Sequence, residues 1–225
     1  MSNKISVIFF GAPGSGKGTQ AELLADKLNL FHLDSGDYLR SVIYDPKVKR
    51  NRKIQKERKE MEVGGIVDPL WFFRVYRKRI DELRKLDQSL VLSGFGRTLE
   101  ETFGDKKHQG LMKVLEKNYG KKNIYIFILD IPARETLKRN SHRSVCSVCN
   151  AALMAFYKDV KCPFCGGKII HRKDDKKEAI LNRLEEYHNR TQPVFKELKK
   201  RGYLVIKIDG TPAPYKIFNK ILTYF

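Results

Sequence analysis

At 225 residues the chain can bury one sizeable core and carry small inserted lobes. Its composition, 41% hydrophobic and 32% charged with no apolar run near the ~18 to 20 residues of a membrane span, excludes a disordered chain and a helical membrane protein. The 45 Lys and Arg against 26 Asp and Glu leave a net charge of +19, which favours polyanionic ligands such as nucleotides, nucleic acid or an anionic surface without choosing among them. The opening MSNKISVIFFGAPG has a short apolar stretch and no small-residue cleavage site, so no signal peptide is expected and the default location is cytoplasmic.

The first element expected is a buried strand over Ile5 to Phe10. A glycine-rich loop follows, then a helix from Gly18 to Leu30 with Ala21, Leu24, Ala25 and Leu28 at helical spacing. Further strands are expected at Ser89–Leu92, Ile124–Leu129 and Tyr203–Ile208. Helices are expected at Pro69–Leu86, Leu111–Asn118, Ala133–Arg139 and Lys176–Arg190. This alternation predicts an α/β fold, a parallel sheet with helices on both faces. Two segments break the rhythm. Lys47 to Lys59 carries eight basic residues and one acid, too few apolar positions for a core helix, and reads as a solvated face or a basic arm near a phosphate. Asn140 to Lys173 holds all four cysteines.

Residues 11 to 17 satisfy G-x-x-x-x-G-K through Gly11, Gly16 and Lys17. Glycines let the backbone approach closely, so that its N–H groups and the positive end of the following helix can cradle phosphate oxygens. Lys17 is a cation able to reach the β- and γ-phosphates. Gly18 stands where the usual motif has Ser or Thr, and Thr19 comes one place later.

Cys146-x2-Cys149 and Cys162-x2-Cys165 are separated by twelve residues. Two such knuckles can set four thiolates tetrahedrally around Zn²⁺ in a closed, structural site. Iron and a pair of disulfides are the rivals.

Gly11-Ala12-Pro13-Gly14-Ser15-Gly16-Lys17-Gly18-Thr19-Gln20 resembles the phosphate loop of the adenylate kinase family, where Gly-Lys-Gly-Thr is usual. Four more segments match in order. Asp34-Ser35-Gly36-Asp37-Tyr38-Leu39-Arg40 is similar to the family's Ser-Thr-Gly-Asp-x-Leu-Arg, and Ser93-Gly94-Phe95-Gly96-Arg97-Thr98 to Asp-Gly-Phe-Pro-Arg-Thr. His171 to Asp175 with Arg183-Leu184, and Asp209-Gly210-Thr211, complete the series.

The resemblance implies a phosphate-loop kinase core at 1–34, 66–139 and 174–225. It adds a mobile monophosphate-binding lobe at 35–65 and a zinc-binding lid at 140–173. The implied reaction is reversible transfer of the terminal phosphate of Mg·ATP to a nucleoside monophosphate, AMP first, by a monomer. ATP would be bound by Gly14, Ser15, Gly16, Lys17, Gly18, Thr19, Arg139 and Arg143. The monophosphate would be bound by Ser35, Gly36, Arg40, Val67, Gly94, Arg97, Glu101, Arg172 and Arg183. Lys17, Arg97, Arg139, Arg143, Arg172 and Arg183 would be catalytic, offsetting repulsion between two polyanions.

Three departures from the family pattern bear on this. Ser93 replaces an Asp that orients the Mg²⁺ water shell, so weaker Mg²⁺ binding or turnover is expected, and improvement on restoring Asp. Gly96 replaces Pro. Glu101 stands where the family's Gln meets the adenine; a carboxylate only accepts hydrogen bonds, which opens GMP, CMP or UMP as alternative acceptors. The rival from another class is a degenerate kinase whose zinc ribbon and basic lobe bind nucleic acid.

Overall fold

The computed structural model describes residues 4–149, 151–153, 157, 159–171 and 176–225. In chain order the elements are β1 (Ser6–Gly11), α1 (Lys17–Leu28), β2 (Phe31–Asp34), α2 (Ser35–Ile43), α3 (Arg52–Glu62), α4 (Pro69–Lys85), β3 (Leu90–Ser93), α5 (Leu99–Phe103), α6 (Leu111–Tyr119), β4 (Ile124–Asp130), α7 (Ala133–Ser141), β5 (Ser144–Cys146), β6 (Ala152–Leu153), β7 (Ile169–Ile170), α8 (Lys177–Glu186), α9 (Gln192–Lys200), β8 (Val205–Asp209) and α10 (Pro214–Leu222).

Five strands form a parallel sheet in the order β2-β3-β1-β4-β8. Alternation along the central strands sends side chains to opposite faces. Ile8 and Phe10 of β1, with Ile124, Ile126 and Ile128 of β4, pack beneath α4, α6 and α9 against Trp71, Tyr76, Leu115 and Leu198. Val7 and Phe9, with Phe127 and Leu129, pack on the other face against Ala21 and Leu24 of α1 and Ile217 and Ile221 of α10. Both faces are therefore covered, as a parallel sheet requires, and the expected fold class holds.

Some details differ from expectation. β2 is not legible as a strand, because it lies at the sheet edge and only Leu33 of its four residues is buried. The basic stretch does form a helix, α3, capped by the Asn51 side chain, which accepts from the Lys53 and Ile54 amides. Ile54 joins the core, and buried Glu57 accepts a hydrogen bond from the Asp68 amide at 2.8 Å. Its Arg52, Lys53, Lys56 and Lys59 face solvent, so the solvated-face reading describes all but one narrow stripe.

The helix expected over Lys176–Arg190 is α8 followed by a π-helical turn, Tyr187–Thr191. Pro193 has no N–H to donate back along a regular helix, and the ladder widens just before it. Within segment 35–65, Leu39, Ile43 and Ile54 share an apolar cluster with Trp71 and Tyr76. Within 140–173, β6-β5-β7 form a small antiparallel sheet around the cysteines. Among the described residues, no helix is long and apolar enough to cross a membrane.

Candidate active site

The carboxyl ends of β1, β2 and β3 open onto one cleft of about 290 Å³. Its floor is the loop between β1 and α1. Gly14 and Gly16 both have positive φ (76° and 91°), and Gly16 leads into α1, so the helix amino end points into the cleft. Lys17 donates to the carbonyls of Gly11 and Ala12, each at 2.9 Å. Burial, with Arg97 and Arg183 nearby, lowers its pKa to about 7. Ser15 is buried beneath the loop with a hydroxyl that has no partner among the described residues. Gly18 and Thr19 line the cleft directly.

The cations expected from sequence converge here. Arg40, Arg97, Arg139, Arg143 and Arg183, from three helices and two loops, all line the same cleft. Arg97 is held by its Nε donating to Gly94 O at 2.9 Å, while Ser35 Oγ donates to the same carbonyl at 2.7 Å. Gly94 is pressed so closely on Ser35 that a Cβ there would collide with the hydroxyl. Arg40 is paired with Asp37 at 2.5 Å. Arg139 reaches the cleft, and its guanidinium donates to Glu135, Gly210 O and Thr211 O at 2.7 to 3.0 Å, tying α7 to the loop after β8. Arg172 lies outside the described residues. Ser35 and Gly36 line the cleft; Val67 is buried beside Ile66 and contributes no lining side chain.

Glu101 does not do what the resemblance implies. Its carboxylate turns inward, only 2% exposed, and accepts from the amides of Gly96 at 2.6 Å and Arg97 at 3.0 Å. Thr98 Oγ1 in turn accepts from the Glu101 amide at 3.0 Å. Thr98-x-x-Glu101 has the sequence signature of a capping box at the start of α5, but only the Thr98 half is made, because the Glu101 carboxylate reaches past Thr98 to the loop amides of Gly96 and Arg97. Both carboxylate oxygens are engaged by backbone, so the argument that a carboxylate here selects guanine or a pyrimidine loses its basis.

Position 93 also reads differently in three dimensions. Ser93 Oγ donates to Asp34 Oδ2 at 2.5 Å, and His32 Nε2 lies 2.9 Å from the same hydroxyl. A carboxylate therefore stands beside position 93 after all, on the neighbouring strand. The carboxylates of Glu22, Asp34 and Asp37 and the Thr19 hydroxyl line the cleft, a hard-oxygen set suited to a hydrated Mg²⁺.

The four cysteines form a second centre, between α7 and α8. The Sγ atoms of Cys146, Cys149, Cys162 and Cys165 all lie within 4.8 Å of one another, with Cys146–Cys165 at 3.4 Å and Cys149–Cys162 at 3.6 Å. A zinc tetrahedron with Zn–S of ~2.3 Å needs sulfurs about 3.8 Å apart, so the group fits a metal. The amides of Val148 and Phe164 donate to Cys146 and Cys162 sulfurs at 3.3 and 3.4 Å, as thiolate ligands require. The four sulfurs sit as one group with no pair at bonding distance, the arrangement a metal site needs.

The adenylate kinase family profile matches residues 9–203. The chain belongs to the adenylate kinase family. It is 34% identical to an adenylate kinase of Methanothrix thermoacetophila over 224 residues, 96% of each chain. It is 34% identical to one of Caldicellulosiruptor bescii over 205 residues, 89% of each, and 31% identical to one of Clostridium tetani over 222 residues, 96% of each. As an adenylate kinase family member the chain is a nucleoside monophosphate kinase, and of the segments that carry the resemblance 11–20, 34–40 and 93–98, with Arg183, contribute lining residues to the cleft.

Proposed function

We propose that this protein catalyses ATP + AMP ⇌ 2 ADP. The observation that carries this is the convergence of the phosphate loop, Lys17 and five arginines on one cleft beside the carboxyl ends of β1 to β3. Related chains of nearly the same length named adenylate kinase support AMP as acceptor.

In this reading an oxygen of the acceptor phosphate attacks the γ-phosphorus of ATP, and the bond to the β-bridging oxygen breaks, leaving ADP. The acceptor is already largely dianionic above its second pKa of ~6, so no side chain need act as base. Lys17 and the amides of Gly14 to Thr19 hold the donor phosphates. Arg40 and Arg97, with Ser35, Gly36 and Gly94, hold the acceptor. Arg143, Arg172 and Arg183 offset charge on the moving group, and Arg139 braces the nucleotide end of the cleft. Bound Mg²⁺ supplies charge neutralisation on the β- and γ-oxygens.

The segments 35–65 and 140–173 act as lobes that close over the substrates. Closure excludes water, which would otherwise accept the phosphate. Zinc is the metal assigned to the four thiolates, where it staples a lobe too small to hold a core of its own. The protein works as a cytoplasmic monomer.

The test is incubation with Mg·ATP and, separately, AMP, GMP, CMP and UMP, with chromatographic separation of the diphosphates. Fast conversion of AMP alone is expected. Preference for another acceptor overturns the AMP assignment, and no conversion of any overturns the kinase reading.

A further inference from the structure

We propose that Asp34 is the acid that orients the water shell of the nucleotide-bound magnesium, taking the place that position 93 holds in the family; this rests on the kinase reading above. Phosphate-loop enzymes hold their metal through a loop hydroxyl and an acid at the end of a nearby strand. Position 93 has no charge to offer. Asp34, however, is its direct partner in the β2–β3 register, both at the carboxyl ends of their strands. Neighbouring strands lie ~4.8 Å apart, so a side chain from either position reaches the same space.

The motif comparison points the same way. Where the family has Ser at 34 and Asp at 93, this chain has Asp at 34 and Ser at 93. The two residue types have exchanged strands. In this chain the two are joined by a hydroxyl-to-carboxylate hydrogen bond, Ser93 Oγ to Asp34 Oδ2 at 2.5 Å, with the charge on the β2 side. Asp34 lines the phosphate cleft together with Lys17 and Thr19. Of the other lining acids, Asp37 is paired with Arg40, and Glu22 is on the exposed face of α1. Burial raises the Asp34 pKa, but the bonds from Ser93 and the Asp37 amide outweigh it and keep the group ionised.

The competing account is a helix cap alone. Asp34 Oδ1 does accept from the Asp37 amide at 2.9 Å at the start of α2. Asn and Ser cap as well as Asp, so the cap needs no charge, whereas a metal-bound water does. That difference separates the two accounts.

The experiment is calorimetric titration of the full chain with a non-hydrolysable ATP analogue, with and without Mg²⁺, folding being checked by circular dichroism. In wild type, Mg²⁺ should tighten binding. In Asp34→Asn the cap and the metal-free affinity should persist, while the tightening by Mg²⁺ falls by about tenfold or more. The exchange variant Asp34→Ser/Ser93→Asp should recover it to within about threefold, and decides the matter alone if Asp34→Asn does not fold. Full Mg²⁺ dependence in Asp34→Asn, or its loss in a folded exchange variant, overturns the proposal. Wild type that binds the analogue without any Mg²⁺ effect overturns it too, and leaves the kinase reading standing. Wild type that does not bind the analogue at all overturns both.

Discussion

The amide of Gly96 donates to the Glu101 carboxylate across 2.6 Å. Proline, the family's residue at position 96, has no N–H and could not make this bond. The two departures are therefore one structural unit: the glycine supplies a donor, and the glutamate, buried behind the loop that carries Arg97, receives it. Glu101→Ala would leave one buried amide, Gly96, and one partly buried amide, Arg97, without acceptors. We expect a loss of about 2 to 4 kcal/mol, read by denaturant unfolding, with acceptor-base preference unchanged. A changed base preference would return Glu101 to the substrate.

The same carboxylate makes stability depend on pH. Burial raises the Glu101 pKa from 4.5 to about 7, against the lowering effect of the Gly96 and Arg97 amides. The native chain then binds more protons than the unfolded chain between those values. Stability from this group is full below about 4.5 and falls as pH rises towards 7, by about 3 kcal/mol in order of magnitude. Glu101→Gln should flatten that slope in unfolding curves taken across the window; an unchanged slope would place the titration elsewhere.

Lys17 has the opposite consequence. With its pKa lowered from 10.5 to about 7, the native chain binds fewer protons than the unfolded one in that interval, so stability from this group rises with pH through it. A bound polyphosphate reverses the field and draws the proton back. Nucleotide binding near pH 8 should take up about one proton, seen as heats that vary with buffer ionisation enthalpy. Lys17→Met should abolish the uptake and lower turnover by about 10²-fold or more. Buffer-independent heats in wild type would contradict this.

Restoring the family's acid by Ser93→Asp alone should harm rather than help. It would set a second carboxylate against Asp34, where Ser93 now donates at 2.5 Å. Two carboxylates in one site raise a pKa and repel. We expect a loss of about 1 to 3 kcal/mol and a lower melting temperature, partly relieved at acid pH where one of the pair takes a proton. Higher stability at neutral pH would show that Asp34 moves away.

Arg97 is aimed by Gly94 and lies beside Ser35. Lysine cannot reproduce its planar fork. Arg97→Lys should cut kcat/KM for the monophosphate by about 10²-fold and leave KM for ATP within a few-fold. Equal loss for both substrates would mean that the side chain supports the whole cleft instead.

Metal analysis should find about one zinc per chain, absent in Cys146→Ser/Cys162→Ser. Because the five-stranded sheet shares no strand with the cysteine sheet, removal should lower turnover while the sheet's far-ultraviolet signal persists. Collapse of the whole chain on chelation would show that the two are one cooperative unit.

The phosphate loop, the alternating elements and the paired cysteine knuckles are all legible in the amino-acid sequence. Each is written in residues close together in the chain, where glycine geometry, side-chain period and ligand spacing act locally. The sequence also contained Asp34 and Ser93, and Gly96 and Glu101, as separate departures. What they mean depended on contacts that only folding makes. The edge strand β2, too short and too exposed to leave a periodic signal, had to pair with β3 before Asp34 and Ser93 became register partners 59 residues apart. The amino end of α5, capped by Thr98, had to turn the Glu101 carboxylate inward before that residue could be seen to hold a loop and not a base. Charge position and side-chain direction are properties of packed neighbours, and those the tertiary structure decided.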